Sequence, residues 1–181
     1  MPSDMKERIA REFAQLARTK SVDKITVKDI VEACHITRQT FYYHFQDLID
    51  VIDWSFHRIA EELVERSLKL DSRQQVMELF LSEAVHADGM IRRLLSSQLR
   101  EQTERLMVES IRICFQEMVD RKALFQDVSR SDVQVALDFY TFATVGILLE
   151  YCSRPNLDVK HLAGQLVSLM DGSFQKRSRE D

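Results

Sequence analysis

The sequence predicts an all-α protein. Only four Gly and two Pro occur in 181 residues, so long stretches contain no residue that would end a helix. Apolar residues recur at helical spacing along most of the chain. A hydrophobic content of 45% with 30% charged residues is typical of a globular protein, and the length suits one ordinary domain or a small domain followed by a larger one.

The first 45 residues contain signals for three helices. An amphipathic pattern predicts a first helix over about 3–20. Its positively charged side chains are expected on the outer side: Lys6, Arg8, Arg11 and Arg18. Thr26 and Asp29 form a capping-box pattern that predicts a second helix from Val27, and Thr37 predicts the N-cap of a third.

The rest of the chain predicts a longer helical body. Gln46 and Asp47 are expected to cap a long fourth helix that leads from the N-terminal helices into this body. Serine and glutamine three residues apart, at Ser72 and again at Ser131, predict two more helix starts by the capping box. The predicted elements of the body are helices at 72–87, 89–97, 98–121, 131–153 and 158–175, with a loop at 122–130 and a break at Pro155 and Asn156.

The third helix is unusually polar on one side. Phe41 and Phe45 lie four residues apart and should face inward. The side chains left outside offer guanidinium, amide, hydroxyl, phenol and imidazole donors and no carboxylate: Arg38, Gln39, Thr40, Tyr42, Tyr43 and His44. Such a surface suits a polyanion with readable base edges, so the second and third helices are interpreted as a helix-turn-helix whose second helix enters the DNA major groove.

Residues 25–45 also resemble the TetR family of transcriptional regulators. That family's recognition helix follows the pattern [ST]-x-x-T-x-Y-x-[HY]-F, which is matched in register by Thr37, Thr40, Tyr42, His44 and Phe45. The resemblance covers roughly the first third of the chain. The string from Thr37 to Asp47 is similar to the branch of the family that includes regulators of dihydroxyacetone kinase genes.

The resemblance implies a role for each polar residue of the recognition helix. It implies that Thr37, Thr40, Tyr42 and His44 hold phosphates, while Arg38 and Gln39 face base edges, where bidentate contacts to guanine and adenine are possible. Lys28 would reach a phosphate or an adjacent base, and Tyr43 could contact either.

Two positions depart from the family pattern. His35 stands where the turn usually carries a glycine, although histidine is among the residue types that tolerate a left-handed backbone. Leu48 stands where many members place a phosphate-binding lysine. Its replacement predicts weaker backbone anchoring, or compensation by Arg11, Lys24 or Lys28.

The charge distribution suits a protein that touches DNA at one end. The chain carries a net charge of −4, yet residues 1–45 hold eight Lys and Arg against six Asp and Glu. A mildly basic head on an acidic body is expected for such a protein and not for a histone-like binder.

The sequence predicts neither an enzyme nor a metal protein. Cys34, Cys114 and Cys152 lie far apart and are interpreted as reduced structural thiols of a cytoplasmic protein. No cofactor is predicted, because no metal-ligand spacing, phosphate loop, nucleophile elbow or paired-carboxylate motif occurs. No secretory signal is recognisable, and the most apolar run, 139–149, is shorter than a membrane span, so no membrane association is expected.

The helix predicted at 131–153 is apolar around most of its circumference, so one face needs a cover beyond its own bundle. Together with the last helix it is interpreted as a dimer interface that forms a four-helix bundle with a second copy, an arrangement that the resemblance also implies. The residues assigned to this interface are Leu137, Val145, Leu148, Leu149, Leu162, Leu166 and Leu169. A central helix wholly buried within a monomer is the alternative.

Together these features predict an N-terminal helix-turn-helix DNA-binding domain at 1–47 and a helical effector-binding and dimerisation domain at 48–181. The expected protein is a homodimeric transcriptional regulator, with repression as the default, on a palindromic double-stranded DNA operator. A small-molecule effector or a co-regulator protein would control it from the helical domain, where the sequence identifies no ligand-binding residues. The alternatives are a helical adapter that binds a protein partner without DNA and, less favoured, a helical-bundle enzyme.

Overall fold

The computed structural model describes residues 2–86, 89–151 and 157–173 and confirms the all-α prediction. Within these ranges the secondary structure consists of nine α-helices and one short 3-10 helix, Val22–Lys24, with no strand. The α-helices, in chain order, are α1 Pro2–Thr19, α2 Val27–Ala33, α3 Arg38–His44, α4 Leu48–Ser67, α5 Arg73–His86, α6 Met90–Leu95, α7 Arg100–Arg121, α8 Arg130–Tyr151 and α9 Val159–Met170.

The chain forms two compact units, and α4 and α7 each contribute to both. One unit comprises residues 1–60 and 88–110, and the other comprises residues 61–87 and 111–181. The first unit contains the predicted DNA-binding segment 1–47 but is larger than it. The additional chain belongs there because α1 packs against α6 and because the start of α4 packs under α3.

The first unit has its core where α1, α2, α3 and α4 meet. The buried side chains of these helices include Ile9, Phe13, Ala17, Ile30, Cys34, Phe41, Phe45 and Val51. A hydrogen bond also joins distant parts of this unit, since the backbone N–H of Gln98 donates to Asp23 Oδ1 at 2.9 Å. That bond attaches the segment just before α7 to the 3-10 helix just before α2.

The second unit has an aromatic core and ties its helix ends together with polar contacts. Phe80 stacks on Phe115 with ring centroids 5.6 Å apart, and α5 packs along α9. The ammonium group of Lys122 donates to the carbonyl oxygens of Ser67 and Leu70, at 3.3 and 2.9 Å. A cation at this position satisfies carbonyls left free at the C-terminal end of α4 and favours the helix dipole.

Most helices begin at the predicted caps, and α8 and α4 are the two that differ. Ser72 and Gln75 form the predicted reciprocal cap of α5. The predicted cap at Ser131 is wrong, because α8 begins at Arg130 and Ser129 Oγ accepts the N–H of Asp132 at 3.2 Å. At α4 the prediction was half correct.

Gln46 and Asp47 have different roles in the cap of α4. Asp47 Oδ1 accepts the N–H groups of Ile49 and Asp50, whereas Gln46 takes part through its backbone N–H, which donates to Asp50 Oδ2 at 2.9 Å. At the other end of the chain α9 stops at Met170, short of the predicted 175, and Gly172 follows in a left-handed conformation. Cys152 and the predicted break at Pro155 and Asn156 lie outside the described residues.

Candidate DNA-binding surface

A polar network fixes the start of α2. Thr26 Oγ1 accepts the N–H of Asp29, while Asp29 Oδ2 accepts the N–H of Thr26 at 2.7 Å, as the predicted capping box requires. Lys20 donates to the same carboxylate oxygen at 2.8 Å. The hydrogen bonds that this carboxylate accepts, first from Lys20 and then from the hydroxyl and the N–H of Thr26, lower the pKa of Asp29 from 3.8 to about 2. The start of α2 is therefore linked to the end of α1.

The turn between α2 and α3 is a Schellman motif. The N–H of His35 donates to Glu32 O at 3.2 Å, and the N–H of Ile36 donates to Val31 O at 3.0 Å. His35 occupies the left-handed position with φ 48°, where glycine is usual. The tight turn expected at this position is therefore formed around a residue that carries a Cβ.

Helix α3 begins at the predicted cap. Thr37 Oγ1 accepts the N–H of Thr40 at 3.1 Å and lies 2.9 Å from the Thr40 hydroxyl. Both hydroxyls thus have a partner within the helix and retain free lone pairs for a further contact. The cap orients the first turn of α3, where Arg38 and Gln39 are located.

The inner face of α3 is anchored by aromatic rings. Phe41 and Phe45 are buried as predicted, and the Phe45 ring lies edge-on to Trp54 of α4 with centroids 6.1 Å apart. The ammonium group of Lys6 lies 5.1 Å from the centroid of the Phe45 ring. Because this face is held by α1 and α4, the opposite face of α3 has a fixed orientation.

The outer face presents the donors that the sequence placed there. Arg38, Gln39, Tyr42 and Tyr43 are exposed, with Tyr43 at 81%, and Thr40 and His44 are half-exposed. The Tyr43 and His44 rings meet edge to face with centroids 5.0 Å apart. Helix α3 itself carries no Asp or Glu.

Lys28 lies on α2, apart from this helix. It is exposed and its ammonium group is 3.7 Å from the carboxylate of Glu32, one turn further along. An exposed pair of this kind is worth little and leaves the lysine able to exchange its partner for a phosphate. The eight residues predicted to bind DNA are therefore accessible in part or in full, seven at the cap and along α3 and one on α2.

Sequence reasoning missed two groups in this unit. Arg8, expected on the outside of α1, is half-buried and its Nη2 donates to the carbonyl oxygen of Cys34. Asp23, which accepts from Gln98, was not singled out at all. Both contacts join residues at least 26 positions apart in the chain, so no local pattern could have indicated them.

The predicted dimer-interface residues divide into two groups. Leu137, Val145, Leu148 and Leu162 are buried within the chain itself, which leaves little of their side chains to contact a second copy. Leu149 and Leu166 are partly exposed, and Leu169 is 56% exposed. The predicted set combines buried and exposed positions because α8 is apolar on both faces, and periodicity alone does not tell which face meets its own bundle.

The exposed apolar face of α8 consists of other residues. Val135, Phe139 and Phe142 are 65%, 62% and 58% exposed and lie at i, i+4 and i+7. Gly146 continues the same row, and a Cβ placed there would meet nothing within 4 Å. This row, Val135, Phe139, Phe142 and Gly146, is called the α8 face below.

The length of α8 bears on the expectation that the most apolar run is too short to span a membrane. At 22 residues it is long and apolar enough to cross a membrane, and in the described residues it alone passes that test. Core helices of soluble proteins pass it too. Asp138, near the middle of α8, forms an ion pair with Arg112 of α7, and charges at the centre of a bilayer are costly.

The second unit also has an open polar cleft of about 330 Å³ between α5 and α9. It is lined by Gln74, Asp158, Lys160, His161 and Gly164. The buried thiols are unsuited to chemistry, since burial raises the pKa of Cys114 to about 12 and also raises that of Cys34. In the part of the chain that the structure describes, which omits Cys152 and the side chain of His86, no three His, Cys, Asp or Glu residues come together as a metal site.

Comparison with known proteins agrees with this geometry. Residues 13–47 match the family described as bacterial regulatory proteins, tetR family. This match covers the helix-turn-helix segment, in which the chain resembles TetR-family regulatory proteins.

The chain also resembles proteins named DhaS. It is 36% identical over 56 residues to the HTH-type dhaKLM operon transcriptional activator DhaS of Lactococcus lactis subsp. lactis (strain IL1403), a match that spans 31% of this chain and only 30% of the relative. A solved structure of a dihydroxyacetone kinase operon activator DhaS superimposes with a TM-score of 0.69 at 19% identity, over 94% of this chain and 96% of that one.

Two further solved structures share the fold at lower similarity. The fatty acid degradation regulator FadR from Bacillus halodurans has a TM-score of 0.53 at 14% identity, over 91% of this chain and 93% of that one. A TetR-family transcriptional regulator from Bordetella parapertussis 12822 has a TM-score of 0.51 at 17% identity, over 91% and 93% of the two chains.

Proposed function

We propose that the protein is a sequence-specific, DNA-binding transcriptional regulator of the cytoplasm. The observation that carries the proposal is the outer face of α3, an exposed row of hydrogen-bond donors without a carboxylate on a helix anchored by Phe41 and Phe45. Arg38 and Gln39 lie in the first turn, the part of a recognition helix that meets base edges. Thr37, Thr40, Tyr42, Tyr43, His44 and Lys28 surround them and would hold the backbone.

Selection of bound fragments from a random duplex library, at about 0.15 M salt, tests this proposal. We expect a palindromic site whose half-sites are about 34–36 Å apart, or a multiple of that distance, because two-fold related heads would occupy successive major grooves. A protein that recovers no preferred sequence, or that captures a protein partner and no DNA, would instead be the helical adapter.

Two variants of α3 separate base contacts from phosphate contacts. Gln39→Ala should cost about 1–3 kcal/mol at the selected site and relax preference at one or two base pairs. Tyr42→Phe removes only a hydroxyl, so it should weaken binding to all duplexes alike. Equal weakening of every sequence by Gln39→Ala would contradict the assignment of Gln39 to a base edge.

We further propose that the protein acts as a homodimer through the α8 face together with Leu169 of α9. Large exposed apolar residues in one row at helical spacing require a cover, and a second copy supplies a matching row. The charge pair of Asp138 with Arg112 beside this face favours a protein cover over a lipid one.

Control of the regulator is assigned to the second unit. A small-molecule effector or a co-regulator protein would bind there and change operator affinity roughly 5–150-fold, the range given by a coupling of ~1–3 kcal/mol. Helix α4 begins in the first unit and ends in the second, and we propose that it links ligand binding to DNA binding. A ligand can be identified by thermal shift. Its affinity for the operator complex must then differ from its affinity for the free protein by the same factor by which it changes operator affinity.

The direction of regulation follows from a reporter assay. Repression is the sequence-based expectation, whereas both relatives named DhaS are described as operon activators, and this similarity favours activation. A promoter that carries the selected site, fused to a reporter, should lose expression on deletion of the protein if it activates and gain expression if it represses.

A further inference from the structure

The turn of the helix-turn-helix is built around an unfavourable residue. His35 adopts φ 48°, and a side chain with a Cβ is disfavoured in this left-handed region. The Schellman hydrogen bonds of His35 and Ile36 satisfy the carbonyls of Glu32 and Val31, and the N–H of Cys34 bonds Ile30 O at 2.8 Å. They leave the carbonyl oxygen of Cys34, directly before His35, without a partner from the turn itself.

Arg8 supplies that partner. Its guanidinium donates to the Cys34 carbonyl from α1, which packs against α2. The contact is reciprocal, since the Cys34 thiol lies 4.0 Å from the backbone oxygen of Arg8. Cys34 is fully buried, so its backbone has little freedom to move away from the contact. A positive charge at the C-terminal end of α2 also favours the helix dipole.

We propose that Arg8 is a positioning residue for DNA recognition, which holds the turn in its left-handed conformation and compensates for the absence of glycine at position 35. The proposal rests on the DNA-binding function inferred for α3. Arg8 acts through the turn, because the direction in which α3 leaves the turn depends on the backbone of residues 34–36. The proposal assigns Arg8 to the turn and not to a phosphate, since its Nη2 donates to a carbonyl of its own chain.

The first experiment needs no DNA. Arg8→Met keeps the length of the side chain and removes its donors and charge, and Arg11→Met is the matched control, because Arg11 is exposed on the same helix and carries the same charge. In amide hydrogen exchange by NMR, the N–H groups of His35 and Ile36 should exchange about tenfold faster in Arg8→Met, as expected for loss of a charged hydrogen bond. They should be unchanged in Arg11→Met.

The second experiment is a double-mutant cycle on duplex affinity at the selected site. Arg8→Met should weaken binding about tenfold when His35 is present, because fewer molecules have the binding-competent turn. In the His35→Gly background the same change should cost less than about threefold, since glycine adopts the turn without help. Arg8→Lys, which keeps one donor and the charge, should recover part of the affinity.

Three outcomes would overturn the proposal. The first is an equal loss of affinity on Arg8→Met in the His35 and His35→Gly backgrounds. The second is a fall of about one in the slope of log affinity against log salt, which would make Arg8 a phosphate contact. The third is unchanged exchange at His35 and Ile36. If the wild-type chain prefers no duplex, the proposed function fails, while the exchange measurement still decides the role of Arg8.

Discussion

The ionisation of Asp29 makes the stability of the start of α2 depend on pH. Its pKa is lowered to about 2 by Lys20 and Thr26, so it remains ionised in the folded protein at pH values where an unfolded chain is already protonated. Its contribution to the free energy of unfolding is therefore present above about pH 4 and is lost as the pH falls toward 2.

We expect Asp29→Asn to lower the free energy of unfolding at pH 7 and to have a much smaller effect near pH 2. Chemical denaturation at both pH values measures this difference. Lys20→Met is the complementary variant, since loss of the first-named cause should raise the pKa of Asp29 in an NMR titration. An equal effect of Asp29→Asn at both pH values would show that its charge does not stabilise α2.

Cys114 offers a second test at the residue scale. It is fully buried and its pKa is raised to about 12, so the thiolate that reacts with alkylating reagents is scarce near neutral pH. Iodoacetamide at pH 8 should leave the Cys114 peptide unmodified in the folded protein and modify it in guanidinium, as read by peptide mass spectrometry. Rapid modification of the native protein would contradict the burial of this thiol.

At the scale of single residues, the sequence predicts what depends on near neighbours. Thr26, Thr37 and the outward side chains of α3 were predictable because caps and helix faces involve residues three or four positions apart. Arg8 was assigned to the surface, because its partner at Cys34 is 26 positions away and belongs to another helix.

At the scale of elements, the start of α8 can be tested with two neighbouring serines. Ser129 Oγ accepts the N–H of Asp132, whereas Ser131 is an exposed residue of the first turn. Ser129→Ala should lower the free energy of unfolding by about 1 kcal/mol, and Ser131→Ala should change it by less than ~0.5 kcal/mol. Thermal or denaturant unfolding monitored by circular dichroism measures both.

The prediction chose the wrong serine because both satisfied the local pattern. Ser131 is followed three residues later by Gln134, which is the stronger capping-box signature, while Ser129 is followed by Asp132. The first turn of α8 starts at Arg130 and includes Ser131. A result in which Ser131→Ala is the more damaging change would restore the original prediction.

At the scale of the whole molecule, the α8 face makes a prediction about assembly. Phe139→Glu places a charge in the exposed apolar row and should give monomers in sedimentation with helix content unchanged, and operator binding should fall because one head alone binds weakly. Gln134→Glu adds the same charge at an exposed position about a third of a turn around α8 from this row, and it should leave the dimer intact. A Phe139→Glu protein that stays dimeric would contradict this interface.

Leu148→Glu distinguishes core from interface. Leu148 was predicted in the interface but is 6% exposed within a single chain, so a glutamate there would be buried without a partner. We expect loss of folded protein, measured by circular dichroism, in place of a folded monomer. The sequence could not separate these outcomes, because apolar residues on two sides of one helix look equivalent until the rest of the bundle is known.

The hydrogen bond from Gln98 to Asp23 limits how this protein can be recombined. Residues 88–110 belong to the same compact unit as the recognition helix, although they follow it by more than forty positions. A chimaera that joins residues 1–47 to the body of another protein would lack the packing of α6 against α1. It would also lack Gln98, whose N–H donates to Asp23. Transfer of DNA specificity to another protein would therefore require residues 1–47 together with residues 88–110. A segment remote from the helix-turn-helix in sequence thus limits how DNA-binding units can be exchanged among relatives.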